Sequence, residues 1–175
     1  GKTLRRSHDK RNGLGAMHIV SAWASNHGIT LGQVATEEKS NEITAIPQLL
    51  EIIDLEDAIV TIDAAGCQKN IAAQIVQGKG DYVLALKGNQ GKIFDDVRWK
   101  LGCYIRDGSA DYPVSHYFEA EKGHGRLEER QYYQMTVPSY LHGRSEWKGL
   151  KTIGAAIRIY EENGVQKSDT RYYLS

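Results

Sequence analysis

The stretch that decides the fold is residues 58–66, which read AIVTIDAAG: an apolar run that ends on Asp63 and a turn of small residues. A short apolar run bounded by turn residues is typical of a strand buried in a parallel sheet. Ile71, Ile75 and Val76 follow with the spacing of one helix face, and residues 82–86 (YVLAL) repeat the buried-strand pattern. Strand, helix and strand in this order predict a parallel α/β unit.

The same alternation extends in both directions from this unit. On the N-terminal side, apolar residues between Ile43 and Ile53 recur at helical spacing and predict a helix over 42–54, with Pro47 near its first turn. On the C-terminal side, apolar residues at 93, 97 and 101 predict a third helix. Residues 17–24 and 29–36 form two β-leaning runs about an Asn-His-Gly turn and predict an antiparallel hairpin. We therefore expect the hairpin to join a mixed sheet.

The character of the chain changes after about residue 105. Segments around 114–120, 126–137, 150–160 and 170–175 are rich in Tyr, Val, Ile and Thr and are separated by turn residues. Asn163-Gly164 between two such segments predicts a tight hairpin. The sequence thus predicts two parts, an α/β core over 1–108 and a β-rich insertion subdomain over 109–175.

The amino-acid composition is typical of a globular protein and argues against several other classes. The chain has 175 residues, 41% of them hydrophobic and 25% charged, which is typical of a folded globular protein. Lys and Arg number 22 and Asp and Glu number 22, which argues against a strongly basic nucleic-acid binder. No apolar run approaches the roughly 20 residues that span a bilayer, and two cysteines without a CxxC motif favour a reducing, cytoplasmic location. The histidines lack the spacing of a zinc site.

Asp63 is the strongest single candidate for chemistry. It ends an apolar strand, and ligands of open α/β sheets gather beyond the carboxyl ends of the strands. A hard ion such as Mg²⁺ takes oxygen ligands, commonly one or two carboxylates together with phosphate. The alternative is that the Asp63 side chain caps the turn that follows it.

Several basic residues could contact phosphate. The segment 1–13 contains five of them, including Lys2, Arg5 and Arg6, and reads as an exposed basic loop that is either solvated or bound to phosphate. It does not continue into an apolar helical stripe, so Gly1-Lys2-Thr3 is not the end of a P-loop. Lys87 follows the strand at 82–86 and is either a solvated lysine or a ligand contact.

A charged cluster lies in the β-rich part. If 126–130 is a strand, Arg126, Glu128 and Arg130 share one face, and a Glu between two Arg predicts an ion-paired ladder. The alternatives are a DNA backbone clamp by Arg126 and a metal carboxylate at Glu128.

Six short motifs occur in a fixed order: GKTLR at 1–5, KSNEI at 39–43, TIDA at 61–64, DYVLALK at 81–87, HGRLE at 124–128 and YYLS at 172–175. Together they resemble the ISAs-type, or H-repeat-associated, insertion-sequence transposases. The resemblance implies a DDE transposase with a ribonuclease H-like mixed sheet flanked by helices and two Mg²⁺ or Mn²⁺ ions. It also implies DNA as partner, both transposon ends and target, no membrane, and a possible homo-oligomer in the intact enzyme.

The resemblance also assigns residues. Asp63 matches the second Asp of the family and is the expected catalytic and metal-binding residue, whereas Glu128 is not assigned as the third carboxylate. The first Asp of the family would directly precede Gly1, and its Glu would follow Ser175. The candidate DNA contacts are Lys2, Arg5, Arg6, Lys87 and Arg126.

Three hypotheses about function follow. The first is a fragment of a transposase catalytic domain, whose family activity is metal-dependent DNA strand cleavage and transfer and which is inactive as an isolated chain. The second is a non-catalytic DNA-binding or decayed transposase remnant. The third, an unrelated α/β metabolic enzyme, lacks a nucleotide-binding fingerprint to support it.

Overall fold

The computed structural model describes residues 1–3, 17–36, 42–108, 112–123 and 126–175. Within these ranges the strands and α-helices are, in chain order, β1 (Lys2–Thr3), β2 (His18–Ala24), β3 (Ile29–Thr36), α1 (Glu42–Glu51), β4 (Ile59–Ile62), α2 (Lys69–Gln77), β5 (Asp81–Leu86), α3 (Lys92–Asp107), β6 (Val114–Gly123), β7 (Arg126–Thr136), β8 (Thr152–Glu162) and β9 (Val165–Leu174). None of the helices in these ranges is long and apolar enough to cross a membrane.

A six-stranded mixed sheet is the larger of two sheets, with the order β4-β5-β9-β8-β7-β6. Strands β4 and β5 are parallel, and every other neighbouring pair is antiparallel. The predicted β4-α2-β5-α3 alternation and the mixed α/β class are confirmed. Because β9 pairs with β5, strands from both predicted parts, 1–108 and 109–175, share one sheet. The division into two domains stays a prediction.

The N-terminal hairpin forms a second sheet of three strands, β1-β2-β3. The hairpin itself is confirmed, with Ala24 opposite Ile29 across the turn. The expectation that it joins the mixed sheet is wrong. On its other side β2 pairs with the two residues of β1, Lys2 opposite Ile19 and Thr3 opposite His18, so no described ladder links β2 to β4.

Helix α1 is shorter than the predicted 42–54 because its last turn is replaced by a bend at 52–53. The Asp54 carboxylate accepts a hydrogen bond from the backbone N–H of Glu56 at 3.1 Å, a local turn that competes with helix continuation. The apolar stripe of α1 is buried as predicted and consists of Ala45, Ile46, Leu49 and Leu50. Their burial holds α1 against β2, β3 and α2.

Helices α2 and α3 pack on one face of the large sheet, α2 on β5 and α3 on β8 and β9. On this face the rings of Phe94 and Tyr172 meet edge to face with centroids 5.8 Å apart. Side chains alternate along a strand, so Tyr173 projects from the opposite face. The Asn163-Gly164 turn has φ angles of 56° and 76°, as a type I′ hairpin turn requires. It joins β8 and β9. Strand β9 starts earlier than the predicted segment 170–175, because its antiparallel ladder with β8 runs to the turn.

Candidate functional site

Asp63 lies at the surface, immediately after the last residue of β4. Its Oδ1 accepts hydrogen bonds from the backbone N–H groups of Ala65, at 3.0 Å, and Gly66, at 3.4 Å. The turn-capping role that the sequence left open is therefore present at one carboxylate oxygen. Within the described residues, the other oxygen, Oδ2, has no hydrogen-bond partner.

The donor set at this position suits a hard divalent ion only in part. A carboxylate oxygen at the carboxyl end of a strand is the ligand type that Mg²⁺ prefers. In the part of the chain that the structure describes, no group of three or more His, Cys, Asp or Glu side chains could hold a metal ion. Asp63 therefore fits as a single carboxylate ligand, an arrangement in which water and phosphate oxygens complete the coordination shell.

A second loop holds the Asp63 loop in place. It follows β5, the parallel neighbour of β4, and begins at Lys87. The Asn89 side-chain amide donates to the carbonyl oxygen of Ala64 at 3.1 Å, and that of Gln90 donates to the carbonyl oxygen of Cys67 at 2.6 Å. Cys67 itself is buried, which raises the pKa of its thiol to about 12. The hydrogen bonds from the Asn89 and Gln90 side chains to backbone carbonyl groups thus hold the loop that carries Asp63.

The structure brings Asp63 and Lys87 to the same edge of the sheet. They follow the ends of two adjacent parallel strands, and Lys87 is exposed there. Lys2 is exposed in β1, in the other sheet. Arg5 and Arg6 lie outside the described residues.

Arg126 is not brought to this edge. It is the first residue of β7, opposite Gly123. The last residue of β5, Leu86, aligns with Tyr172 of β9. Tyr172 aligns with Ala155, which aligns with Tyr133 of β7. Tyr133 is seven residues from Arg126, or roughly 23 Å at the rise of a strand. The candidate contacts thus fall into separate regions, and the long β7 places Arg126 far from the carboxyl ends of β4 and β5.

The predicted ion pair between Glu128 and Arg130 is confirmed, whereas the predicted pairing with Arg126 falls on a side chain outside those the structure describes. The Glu128 carboxylate binds Arg130 at 2.5 Å and also Arg158 of the adjacent strand β8. The hydrogen bond from Arg158 is the main cause that lowers the pKa of Glu128, and the bond from Arg130 adds to it. The sequence did not identify Arg158 because the pairing register of β7 and β8 is not readable from local pattern.

Sequence reasoning missed a buried polar network between the smaller sheet and α1. His18 is 2% exposed, and its Nε2 lies 2.5 Å from Oε1 of Glu42, which is itself 9% exposed. Its Nδ1 lies 2.9 Å from the hydroxyl oxygen of Thr3. The sequence did contain one signal of this network, because His18 lies within an apolar strand run. A histidine buried there requires hydrogen-bond partners for its ring.

A second missed pair joins α3 to the connection between β7 and β8. The Asp96 carboxylate lies 2.6 Å from Nδ1 of His142 and accepts the backbone N–H of the same residue at 3.0 Å. Burial raises the pKa of Asp96, but the two hydrogen bonds from His142 outweigh this effect, and the net pKa is lowered. Nothing in the local sequence signals this contact between residues 46 positions apart.

Comparison with known proteins adds an independent finding. A family model described as "Transposase DDE domain" matches residues 1–151. The chain is 43% identical over its full length to "Putative transposase YncI" of Escherichia coli O157:H7, of which it covers 45%. It is 42% identical to "H repeat-associated putative transposase YhhI" of Escherichia coli K12, of which it covers 47%. It is also 39% identical to "Uncharacterized protein in dhlA 3'region" of Xanthobacter autotrophicus, of which it covers 58%.

These relatives confirm the resemblance that the ordered motifs predicted. The chain spans about half the length of the relatives it matches. No solved structure matches it.

Proposed function

This chain belongs to the transposase DDE domain family, and on that premise we propose that Asp63 is one of the carboxylates that bind divalent metal for DNA strand cleavage and transfer. The observation that carries the proposal is the position of Asp63: exposed, at the carboxyl end of a parallel strand, with Oδ1 held by the N–H groups of Ala65 and Gly66. Ligands of α/β sheets bind at this end of the strands.

In the proposed reaction, the described part of this chain contributes one metal ligand and the loop that holds it. Two Mg²⁺ or Mn²⁺ ions, when bound, activate the attacking water or hydroxyl and stabilise the leaving oxygen of a phosphodiester. Asp63 would hold such an ion through Oδ2, because the turn orients its other oxygen toward the backbone. The bridges from Asn89 and Gln90 keep the Asp63 loop from moving as charge accumulates beside it. A ribonuclease H-like arrangement of the sheet belongs to the same proposal.

DNA, both transposon ends and target, is the proposed substrate. Lys87 is the best placed of the candidate backbone contacts, since it lies exposed at the sheet edge that carries Asp63. Lys2, Arg5, Arg6 and Arg126 remain candidates for contacts elsewhere on the DNA. A positive side chain beside a metal-bound phosphate adds attraction that weakens as salt rises.

A non-catalytic DNA-binding remnant is the alternative function. The observation that favours it is the turn at Asp63, because an Asp that caps a turn needs no metal to account for it. Both functions predict no turnover by the isolated chain, so metal binding separates them. An ion bound at Asp63 supports the catalytic-domain proposal, whereas salt-sensitive binding of transposon-end DNA with no ion at Asp63 supports the remnant.

The metal assignment is tested with Mn²⁺ and the ¹⁵N-labelled chain. We expect bound Mn²⁺ to broaden the amide signals of Ala65 and Gly66, and the substitution Asp63→Asn to abolish the broadening because it removes the charged oxygen ligand. Asp54→Asn is the matched control, since Asp54 is also exposed and caps a turn through its Oδ1. Equal broadening in Asp63→Asn and the parent chain would show that Asp63 does not bind the ion.

A further inference from the structure

The His18–Glu42 pair is not used by the proposed function, and both of its polar side chains are buried. Both ring nitrogens of His18 are engaged, Nδ1 by the Thr3 hydroxyl and Nε2 by Glu42 Oε1. In the neutral ring one nitrogen donates and the other accepts. An arrangement in which Thr3 donates to Nδ1 and Nε2 donates to Glu42 satisfies all three side chains. The network joins β1, β2 and α1 at one point.

The backbone at the start of β1 packs directly on this pair. The nitrogen of Gly1 lies 3.6 Å from Oε1 of Glu42. A Cβ added to Gly1 would lie 2.6 Å from the same oxygen and would overlap Nε2 of His18. Residue 1 therefore has to be glycine for the chain to approach the pair this closely.

Helix α1 connects this point to the Asp63 loop. Glu42 and Ile46 are four residues apart, so they lie on one face of α1 with Cβ atoms about 6 Å apart. A Cβ added to Gly66 would lie 2.7 Å from Cδ1 of Ile46. Gly66 also donates its N–H to Asp63 Oδ1 and to the Asp63 carbonyl oxygen. One helix turn thus contacts both the start of β1 and the loop that carries the proposed metal ligand.

We propose that His18 and Glu42 are positioning residues, which hold the start of β1 at a fixed place on α1 and thereby at a fixed distance from Asp63. The inference deepens the proposed function and rests on it, because β1 carries Lys2, a candidate DNA contact, and the loop after β4 carries Asp63, the proposed metal ligand. The same helix turn would then set the separation between these two residues. Neither His18 nor Glu42 touches the metal or the DNA in this proposal.

The test measures this distance without any metal, so its result is separate from the Mn²⁺ experiment. Ala65 is exposed, and Ala65→Cys in a Cys103→Ser background accepts a nitroxide spin label; Cys67 is buried and does not compete. We expect the label to broaden the amide signals of Lys2 and Thr3 in the ¹⁵N-labelled chain. Glu42→Ala and His18→Ala should abolish this broadening, while the β5 amides remain broadened as in the parent chain.

Two further variants separate positioning from loss of charge or of fold. Glu42→Gln keeps an acceptor oxygen for Nε2–H and should restore the broadening at Lys2 and Thr3. Glu51→Ala, at the exposed far end of α1, should leave it unchanged. If Glu42→Ala does not fold, Thr3→Val removes only the hydroxyl bonded to Nδ1 and should by itself reduce the broadening. Full broadening at Lys2 and Thr3 in the Ala variants, or in Thr3→Val, overturns the proposal.

Discussion

Strands β8 and β9 have one end buried beneath the helices and the other end exposed to solvent. Comparing the two ends shows which contacts stabilise the fold. At the inner end, Ile153 and Leu174 are fully buried beneath the helices. At the outer end, all residues from Glu161 to Thr170 are exposed. The backbone ladder is continuous between the two ends. Ladder hydrogen bonds alone therefore do not explain the stability of this sheet, because both ends have them and only one end has a core.

The inner end is also where the candidate site is supported. Leu174 of β9 pairs with Leu84 of β5, and β5 pairs in parallel with β4, which leads to Asp63. Burial of apolar surface contributes about 25 cal/mol per Å², so the inner end fixes these strands firmly. The outer end relies on ion pairs, which contribute little when exposed.

The largest expected effect comes from a cavity at the inner end. Ile153→Ala should lower the free energy of unfolding by about 2–5 kcal/mol, because it removes buried methyl groups from a fully buried position. Val165→Ala, at the outer end of the neighbouring strand and 59% exposed, should change it by less than about 0.5 kcal/mol. Urea unfolding followed by circular dichroism measures both. Similar shifts of the urea midpoint in Ile153→Ala and Val165→Ala would show that the buried and exposed ends contribute equally to stability.

An intermediate effect is expected at the Asp96–His142 contact. The net pKa of Asp96 is lowered from its ordinary value of 3.8, so its contribution to stability is present above that value and is lost as pH falls through the lower, folded pKa. Asp96→Asn should therefore cost about 0.5–1 kcal/mol at pH 7, and this cost should diminish only as the pH falls below 3.8. Unfolding free energies measured on both sides of this value check the trend.

The neighbouring Asp95, an exposed residue of α3 that pairs with Arg98, provides the control for Asp96. Asp95→Asn removes the same charge from the same helix turn without breaking the link to the β7–β8 connection. A pH-independent difference between Asp96→Asn and the parent chain would contradict the assignment of the contact.

The smallest effect is expected at Glu128 in the outer ladder. Hydrogen bonds from Arg158 and Arg130 lower its pKa, so the ion pairs persist at neutral pH and weaken only as pH falls below its ordinary value of 4.5. Glu128→Gln should shift the urea midpoint slightly at low salt and less at high salt, because its partners Arg130 and Arg158 are exposed and salt screens their charges. Glu161→Gln, on the same exposed outer end, is the control. A large, salt-independent loss would mean that the ladder holds the fold.

Elements with a strong local pattern were predictable from the sequence. The apolar run before Asp63, the helical spacing of Ile71 and Ile75, and the Asn163-Gly164 turn each specify local backbone structure, and each appears as expected. The predicted end of α1, residue 54, lies three residues beyond its observed end at Glu51, because the turn at Asp54 competes with the helix.

The contacts between distant segments were not predictable. His18 and Glu42 are 24 residues apart, and Glu128 and Arg158 are 30 apart. Which residues meet depends on strand register and on the seating of helices, and neither leaves a local periodicity. The separation of the hairpin into its own sheet is of the same kind, since it depends on which strand edges meet.

By itself the sequence determined the order of strands and helices, the exposed acid at the end of β4 and, through six ordered motifs, the family. Only the tertiary structure decided that β9 returns to β5, that Asn89 and Gln90 hold the Asp63 loop, and that one turn of α1 contacts both Gly1 and Gly66. The physical reason is the sequence separation over which each kind of interaction acts. Backbone preference and hydrophobic periodicity act over a few residues, whereas packing and buried hydrogen bonds select their partners among all segments that the folded chain brings together.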